Sequence, residues 1–157
     1  MGGQESVWDY PRPPALHAVA ERLRVEYAGQ IVAETQAGYR IIETSHPPVY
    51  YFPAGDVQTS WLVPESGSTT ACEYKGLAQY WTLVVAGRKS PRAAWSYPNP
   101  TPSFQAISGY LAFYASSVDA CYVGRDVVQA QDGDFYGGWI TGRIVGPFKG
   151  GPNTWGW

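Results

Sequence analysis

The segment Leu23-Arg24-Val25-Glu26-Tyr27-Ala28-Gly29-Gln30-Ile31-Val32-Ala33 reads as two strands, 23–27 and 31–33, around a tight turn at Ala28-Gly29-Gln30. Glycine supplies the positive φ that hairpin turns need. Working downstream, Tyr39 to Glu43 and Val49 to Phe52 continue the β pattern. Pro47-Pro48 between them breaks the ladder and makes the His46 segment a rigid strand-edge loop. Thr69 to Tyr74 and Ala78 to Val85 are two more strands, separated by Lys75-Gly76. Pro98, Pro100 and Pro102 mark a semi-rigid connection, and Ser103 to Ser108 forms one helical turn. Tyr110 to Tyr114, Val118 to Val123 and Asp126 to Ala130 return to β. Upstream, Pro13 and Pro14 open a short helix in which Leu16, Val19, Ala20 and Leu23 keep helical spacing, and residues 1–12 form an extended arm that packs through Trp8 and Tyr10.

Setting Gly29 over Gly124 superposes Val25 to Gly29 on Ala120 to Gly124 and Val32 on Val127, so the chain reads as two similar β units. The expectation is a mainly β fold, α+β at most, with one or two short helices. After the arm, residues 13–157 form a single domain, since 157 residues is one core's worth. The composition agrees. Gly 18 and Pro 13 punctuate the chain with turns, while 7 Trp and 12 Tyr stand beside a charged fraction of only 15%. The formal net charge of -2 argues against nucleic acid and anionic lipid as partners. No stretch approaches the roughly 18 apolar residues of a membrane span, and no apolar segment opens the chain, so a cytoplasmic address is expected.

Reactive residue types concentrate in two segments, Glu43-Thr44-Ser45-His46-Pro47-Pro48-Val49-Tyr50-Tyr51 and Cys72-Glu73-Tyr74-Lys75-Gly76. A thiol is nucleophilic as its thiolate, which Lys75 three residues away or a facing His46 would stabilise; the alternative is that Cys72 is a small buried hydrophobe. His46 is either a general base or ligand donor oriented by Glu43, or a structurally satisfied side chain. Trp61, Tyr74, Tyr80, Trp81, Trp95 and Tyr97 either wall a pocket for a flat or cationic small molecule or serve as core. Two Cys and two His scattered singly do not make a structural zinc site, and no phosphate loop, dinucleotide fingerprint or nucleophile elbow is present. No cofactor is expected.

At these segments the chain resembles the domain of unknown function 427 family, found largely in bacteria. The signatures are Glu43-Thr44-Ser45-His46-Pro47-Pro48-Val49-Tyr50-Tyr51-Phe52-Pro53, Cys72-Glu73-Tyr74-Lys75-Gly76-Leu77-Ala78-Gln79-Tyr80-Trp81, Ala94-Trp95-Ser96-Tyr97-Pro98 and Gly109-Tyr110-Leu111-Ala112-Phe113-Tyr114. The resemblance covers the chain from about Arg22 to Val128, and Phe135-Tyr136-Gly137-Gly138-Trp139 is typical of a longer branch. The resemblance implies a compact antiparallel fold similar to the β-tents of the thalidomide-binding cereblon domain and of methionine sulfoxide reductase B. The zinc-binding Cys pairs of those relatives are missing here. The family has also carried a nucleotidyltransferase label, for which this chain has neither a phosphate loop nor paired metal-binding aspartates.

Carried over position by position, the resemblance implies a pocket lined by Arg40, Tyr51, Tyr74, Tyr80, Trp81, Trp95 and Tyr97 and bordered by Glu43, His46, Cys72 and Lys75. The position of Cys121 is usually aliphatic in the family, which makes Cys121 core filler. The expected function is small-molecule binding. The alternatives are an enzyme using Cys72 as nucleophile or redox centre, with His46, Lys75 and Glu43 assisting, and a protein-interaction module. The latter would dock through the aromatics of the glycine-spaced tail, Trp139, Phe148, Trp155 and Trp157.

Overall fold

The computed structural model describes residues 4–72, 75–131 and 137–149. Strands follow in the order β1 (Glu5–Ser6), β2 (Ala15–Ala18), β3 (Leu23–Tyr27), β4 (Gln30–Thr35), β5 (Tyr39–Glu43), β6 (His46–Tyr51), β7 (Leu62–Cys72) and β8 (Gly76–Val85). Then come β9 (Arg88–Ser96), β10 (Leu111–Phe113), β11 (Ala120–Val123), β12 (Asp126–Val127), β13 (Gln129–Ala130), β14 (Trp139–Ile140) and β15 (Ile144–Val145). The fold is mainly β, and its helical segments are short 3-10 turns, one of them Pro102–Ile107 where a helical turn was expected.

Three antiparallel sheets carry the architecture, in the orders β12-β11-β3-β4, β10-β9-β8-β7 and β2-β5-β6. The hairpin forms with a shorter turn and a longer second strand than read, Gln30 pairing with Tyr27 and β4 running to Thr35: Ala28 and Gly29 take φ of 52° and 74°, the pair of positive values that matches a two-residue turn to the twist of its strands. The Gly29 and Gly124 segments are the turns of two hairpins lying side by side, with β11 paired to β3 so that Cys121 faces Val25. Their likeness stops at the second arm, where Val32 is fully buried and Val127 is 67% exposed.

Two local expectations are corrected. The segment read as a helix behind Pro13 and Pro14 is the strand β2, which pairs antiparallel with β5, Leu16 opposite Ile41 and His17 opposite Arg40. A helix of about two turns is marginal on its own, and pairing with β5 satisfies the same backbone groups while laying Leu16 on the core. The His46 segment is not a loop, because β6 begins at His46, which pairs with Glu43 across the Thr44-Ser45 turn. Pro47 and Pro48 are tolerated there because β6 is the edge strand of its sheet.

The four-stranded sheet β10-β9-β8-β7 serves two cores. Residues 80 and 83 of β8 point to opposite faces by simple alternation, so Ala78 and Tyr80 enter one cluster while Leu83 and Val85 enter the other. The larger cluster joins Leu83, Val85 and Phe113 to Val25 and Val32 of the hairpin sheet, to Phe52 and to Trp139. Each such fully buried side chain contributes roughly 1.5–3 kcal/mol. Trp139 also donates its indole N–H to the Phe113 carbonyl at 2.9 Å, so the glycine-spaced tail folds back onto the domain there. Trp155 and Trp157 lie outside the described residues.

Residues 4–10 and 139–149 meet on one side of this body. β1 pairs in parallel with β15, and Val7, Tyr10, Ile42 and Ile144 form a third small cluster. No helix among the described residues is long and apolar enough to cross a membrane.

Candidate functional site

Antiparallel register places His17, Arg40 and Tyr50 in one row across the three-stranded sheet, each directly opposite the next. Cross-strand partners project to the same side, so the row presents an imidazole, a guanidinium and a phenol together. Arg40 donates to both carboxylate oxygens of Glu5, at 3.0 and 3.2 Å, from the strand that brings in the N-terminal residues. Burial pushes the Glu5 carboxyl up, but the Arg40 guanidinium outweighs it and holds the group below the usual carboxylate range. Burial likewise raises the Tyr50 phenol, against the lowering pull of the Arg40 charge and its hydrogen bond. Tyr10, whose ring centroid lies 5.9 Å from the Arg40 guanidinium, is raised by burial and by the Glu5 charge.

Opposite this row stands a second charged group. Arg143 contacts Glu21 at 3.0 Å and Asp126 at 2.9 Å. Between the two groups is a cavity of about 190 Å³, whose remaining wall includes Val19, Val123, Thr141 and Ile144. Its sides therefore come from both the sheets and the two ends of the described chain.

The Glu43–His46 turn is held from those same ends. Ser45 is fully buried at φ 69°; its N–H donates to the Val7 carbonyl at 3.0 Å and its carbonyl accepts from the Lys149 N–H at 2.8 Å. Glu43 is paired with Arg12 at 3.6 Å. The His46 Nδ1–H donates to the Thr44 carbonyl at 2.8 Å, which fixes the tautomer and makes Nε2 the ring's acceptor. Burial pushes the imidazole below its ordinary value.

The predicted aromatics assemble elsewhere. Tyr51, Tyr80, Trp95 and Tyr97 are all buried in one cluster with Phe104 and Tyr114. Trp95 meets Tyr114 at 4.5 Å between centroids and Tyr51 edge-on at 6.4 Å. Arg92, at a φ of 53° in an irregular stretch of β9, lies 4.1 Å over the Tyr80 ring. Trp81 points to the other face and donates its indole N–H to Ser96 Oγ at 3.0 Å.

Lys75 sits at the β7–β8 turn, its carbonyl accepting from the Thr101 N–H. Cys72 ends β7 opposite Gly76, and Tyr74 lies outside the described residues. Cys121 is buried, and burial pushes its thiol up to about 12. The structure thus brings Glu43 and His46 together in one turn, Tyr51, Tyr80, Trp95 and Tyr97 in one buried cluster, and puts Arg40 in a cavity. Sequence reasoning missed Glu5, His17, Glu21, Tyr50, Asp126 and Arg143 around that cavity. Tyr50 lay inside a quoted signature; the others come from segments with no motif.

Among the described residues no group of three or more His, Cys, Asp or Glu is placed to hold a metal ion. A family model described as a domain of unknown function (DUF427) matches residues 15–124. No curated protein matches the chain.

Proposed function

We infer that this chain, which belongs to the domain of unknown function 427 family, is a small-molecule-binding protein whose ligand occupies the cavity beside Arg40. The observation that carries the reading is the row His17, Arg40 and Tyr50, three hydrogen-bonding side chains in register on one sheet, facing a cavity of about 190 Å³, room for a ligand of only a few heavy atoms. Part of that wall, Glu5, Asp126, Thr141 and Arg143, lies outside residues 15–124 matched by the family model, so the family core supplies the floor and the chain ends supply the closure. In this reading Tyr51, Tyr80, Trp95 and Tyr97 stiffen the sheet that carries Arg40, and Glu43 and His46 anchor the segments that close the cavity.

The test is a fragment screen on the ¹⁵N-labelled chain, following the side-chain Nε–H of Arg40 and the amides of Val19, Val123 and Thr141. Binding fragments are expected to shift these resonances together and saturably, and to lose most of their effect in a well-dispersed Arg40→Gln variant. Fragments that bind only at other resonances would refute the reading.

A further inference from the structure

The class of ligand follows from what is already seated on Arg40, and it rests on the reading of this cavity as a ligand site. The two parallel N–H contacts from Arg40 to Glu5, at 3.0 and 3.2 Å, have the forked geometry in which a guanidinium recognises a carboxylate. The two partners are not equally fixed. Arg40 stands on β5, the middle strand of β2-β5-β6, with its side chain 20% exposed and hydrogen-bonded to the Tyr50 hydroxyl. A guanidinium held there without an anion is costly, so the place beside it is one that a carboxylate has to fill. Glu5 hangs on the two-residue strand β1 with its side chain 40% exposed. It can turn out to solvent and recover its hydration without any movement of the sheet.

Other groups converge on the same place. His17, directly opposite Arg40, adds its positive charge when protonated and helps to pull the Glu5 carboxyl down. The Tyr10 hydroxyl is buried, makes no well-formed hydrogen bond, and lies close enough to the Glu5 carboxylate for each to shift the other. Whatever carboxylate takes the place of Glu5 therefore meets a guanidinium fork, an imidazole and a phenol with a proton to donate.

We propose that Arg40 is the recognition point for a short-chain carboxylate, its remaining atoms extending into the cavity, and that Glu5 holds this point in cis until such a ligand displaces it. The exchange puts one carboxylate where another was, while Glu21 and Asp126 keep their pairing with Arg143. A cation has no place on Arg40, and a neutral amide lacks the charge that the fork requires.

The experiment titrates acetate, acetamide and methylammonium into the ¹⁵N-labelled full chain and into its Glu5→Ala variant, at ionic strength held constant with chloride. The resonances followed are the Arg40 Nε–H and the amides of His17 and Thr141. In Glu5→Ala acetate is expected to shift them saturably, acetamide and methylammonium not. In the wild type acetate should bind about fivefold more weakly, because Glu5 has first to be displaced. Adding Arg40→Gln to Glu5→Ala should abolish the acetate shift. Should Glu5→Ala fail to fold, Glu5→Gln, which keeps the size of the side chain without its charge, is expected to rank the three probes in the same way. Equal acetate affinity in wild type and variant would overturn the role of Glu5, and a folded variant that acetate leaves unshifted would overturn the whole proposal. In that second case, acetamide, methylammonium or a screened fragment shifting the same resonances would leave the cavity reading standing, and none shifting them would remove both.

Discussion

Gly137 runs against the benzo end of the Trp95 indole: a Cβ added at Gly137 would stand 2.8 Å from Trp95 Cζ3 and nearer still to Cη2. Trp95 is buried and wedged between Tyr51 and Tyr114, so the ring has nowhere to swing. Gly137→Ala is therefore expected to destabilise the fold by about 1–3 kcal/mol through overpacking, read as a lower urea midpoint. Trp95→Phe removes the benzo end, so Gly137→Ala should cost less in that background. Strict additivity of the two changes would show that this contact is not the cause.

Glu5→Gln isolates the link between the N-terminal strand and the cavity row. It removes a bidentate partner from a half-buried guanidinium, and because the Glu5 side chain is 40% exposed, solvent discounts the loss to about 1 kcal/mol. The pH dependence follows from the sign of the shift. A carboxyl held below its ordinary 4.5 in the folded state contributes stability that is complete above that value and lost as pH falls through the folded value. The wild-type advantage over Glu5→Gln in urea denaturation should thus shrink between about pH 5 and pH 3; an advantage that stays constant across that range counts against the pair.

The strands of this fold were legible where turn chemistry was read and lost where it was not. Ala28-Gly29 announces the β3–β4 hairpin, and Ala86-Gly87, with φ of 50° and 85°, makes the same kind of turn between β8 and β9. That strand went unread because its opening, Arg88-Lys89-Ser90-Pro91-Arg92, is charged and holds a proline, and the structure absorbs Pro91 and Arg92 where the β8–β9 register shifts. β2 was misread because four apolar residues at helical spacing cannot report an available partner strand. The site was less legible still. His17, Arg40 and Tyr50 become neighbours only through the registers of β2, β5 and β6, and Glu5 and Arg143 reach them from opposite ends of the chain. Aromatic signature residues, by contrast, stood out by type, yet Tyr51, Tyr80, Trp95 and Tyr97 lie in the interior.

Cys121 should be chemically silent in the native state. It is 2% exposed, and burial alone raises its thiol to about 12, so at about pH 8 only about one molecule in ten thousand carries the reactive thiolate. Iodoacetamide added to folded protein is expected to leave Cys121 unmodified by mass spectrometry, and to label it once urea has unfolded the chain. Labelling of Cys121 in the native state at the rate of a free thiol would contradict its place between Val25 and the core.

His46 makes the anchoring of both chain ends sensitive to acid. Its imidazole is held below the ordinary 6.5 chiefly by burial, with Arg12 and Lys149 adding to the lowering and the Thr44 carbonyl and Glu43 opposing it. The unfolded chain therefore takes up a proton before the folded one does. Stability from the neutral ring is complete above about pH 6.5 and is lost as pH falls toward the folded value, at no more than about 1.4 kcal/mol per pH unit. His46→Gln has no proton to take up, so its urea midpoint should change less than that of the wild type between about pH 6.5 and pH 5. Amide exchange at Ser45 and Lys149, whose N–H groups bond to Val7 and Ser45, should accelerate over the same interval in the wild type once the intrinsic pH effect is removed. Identical slopes in both proteins would mean that protonation of His46 is not what loosens the turn.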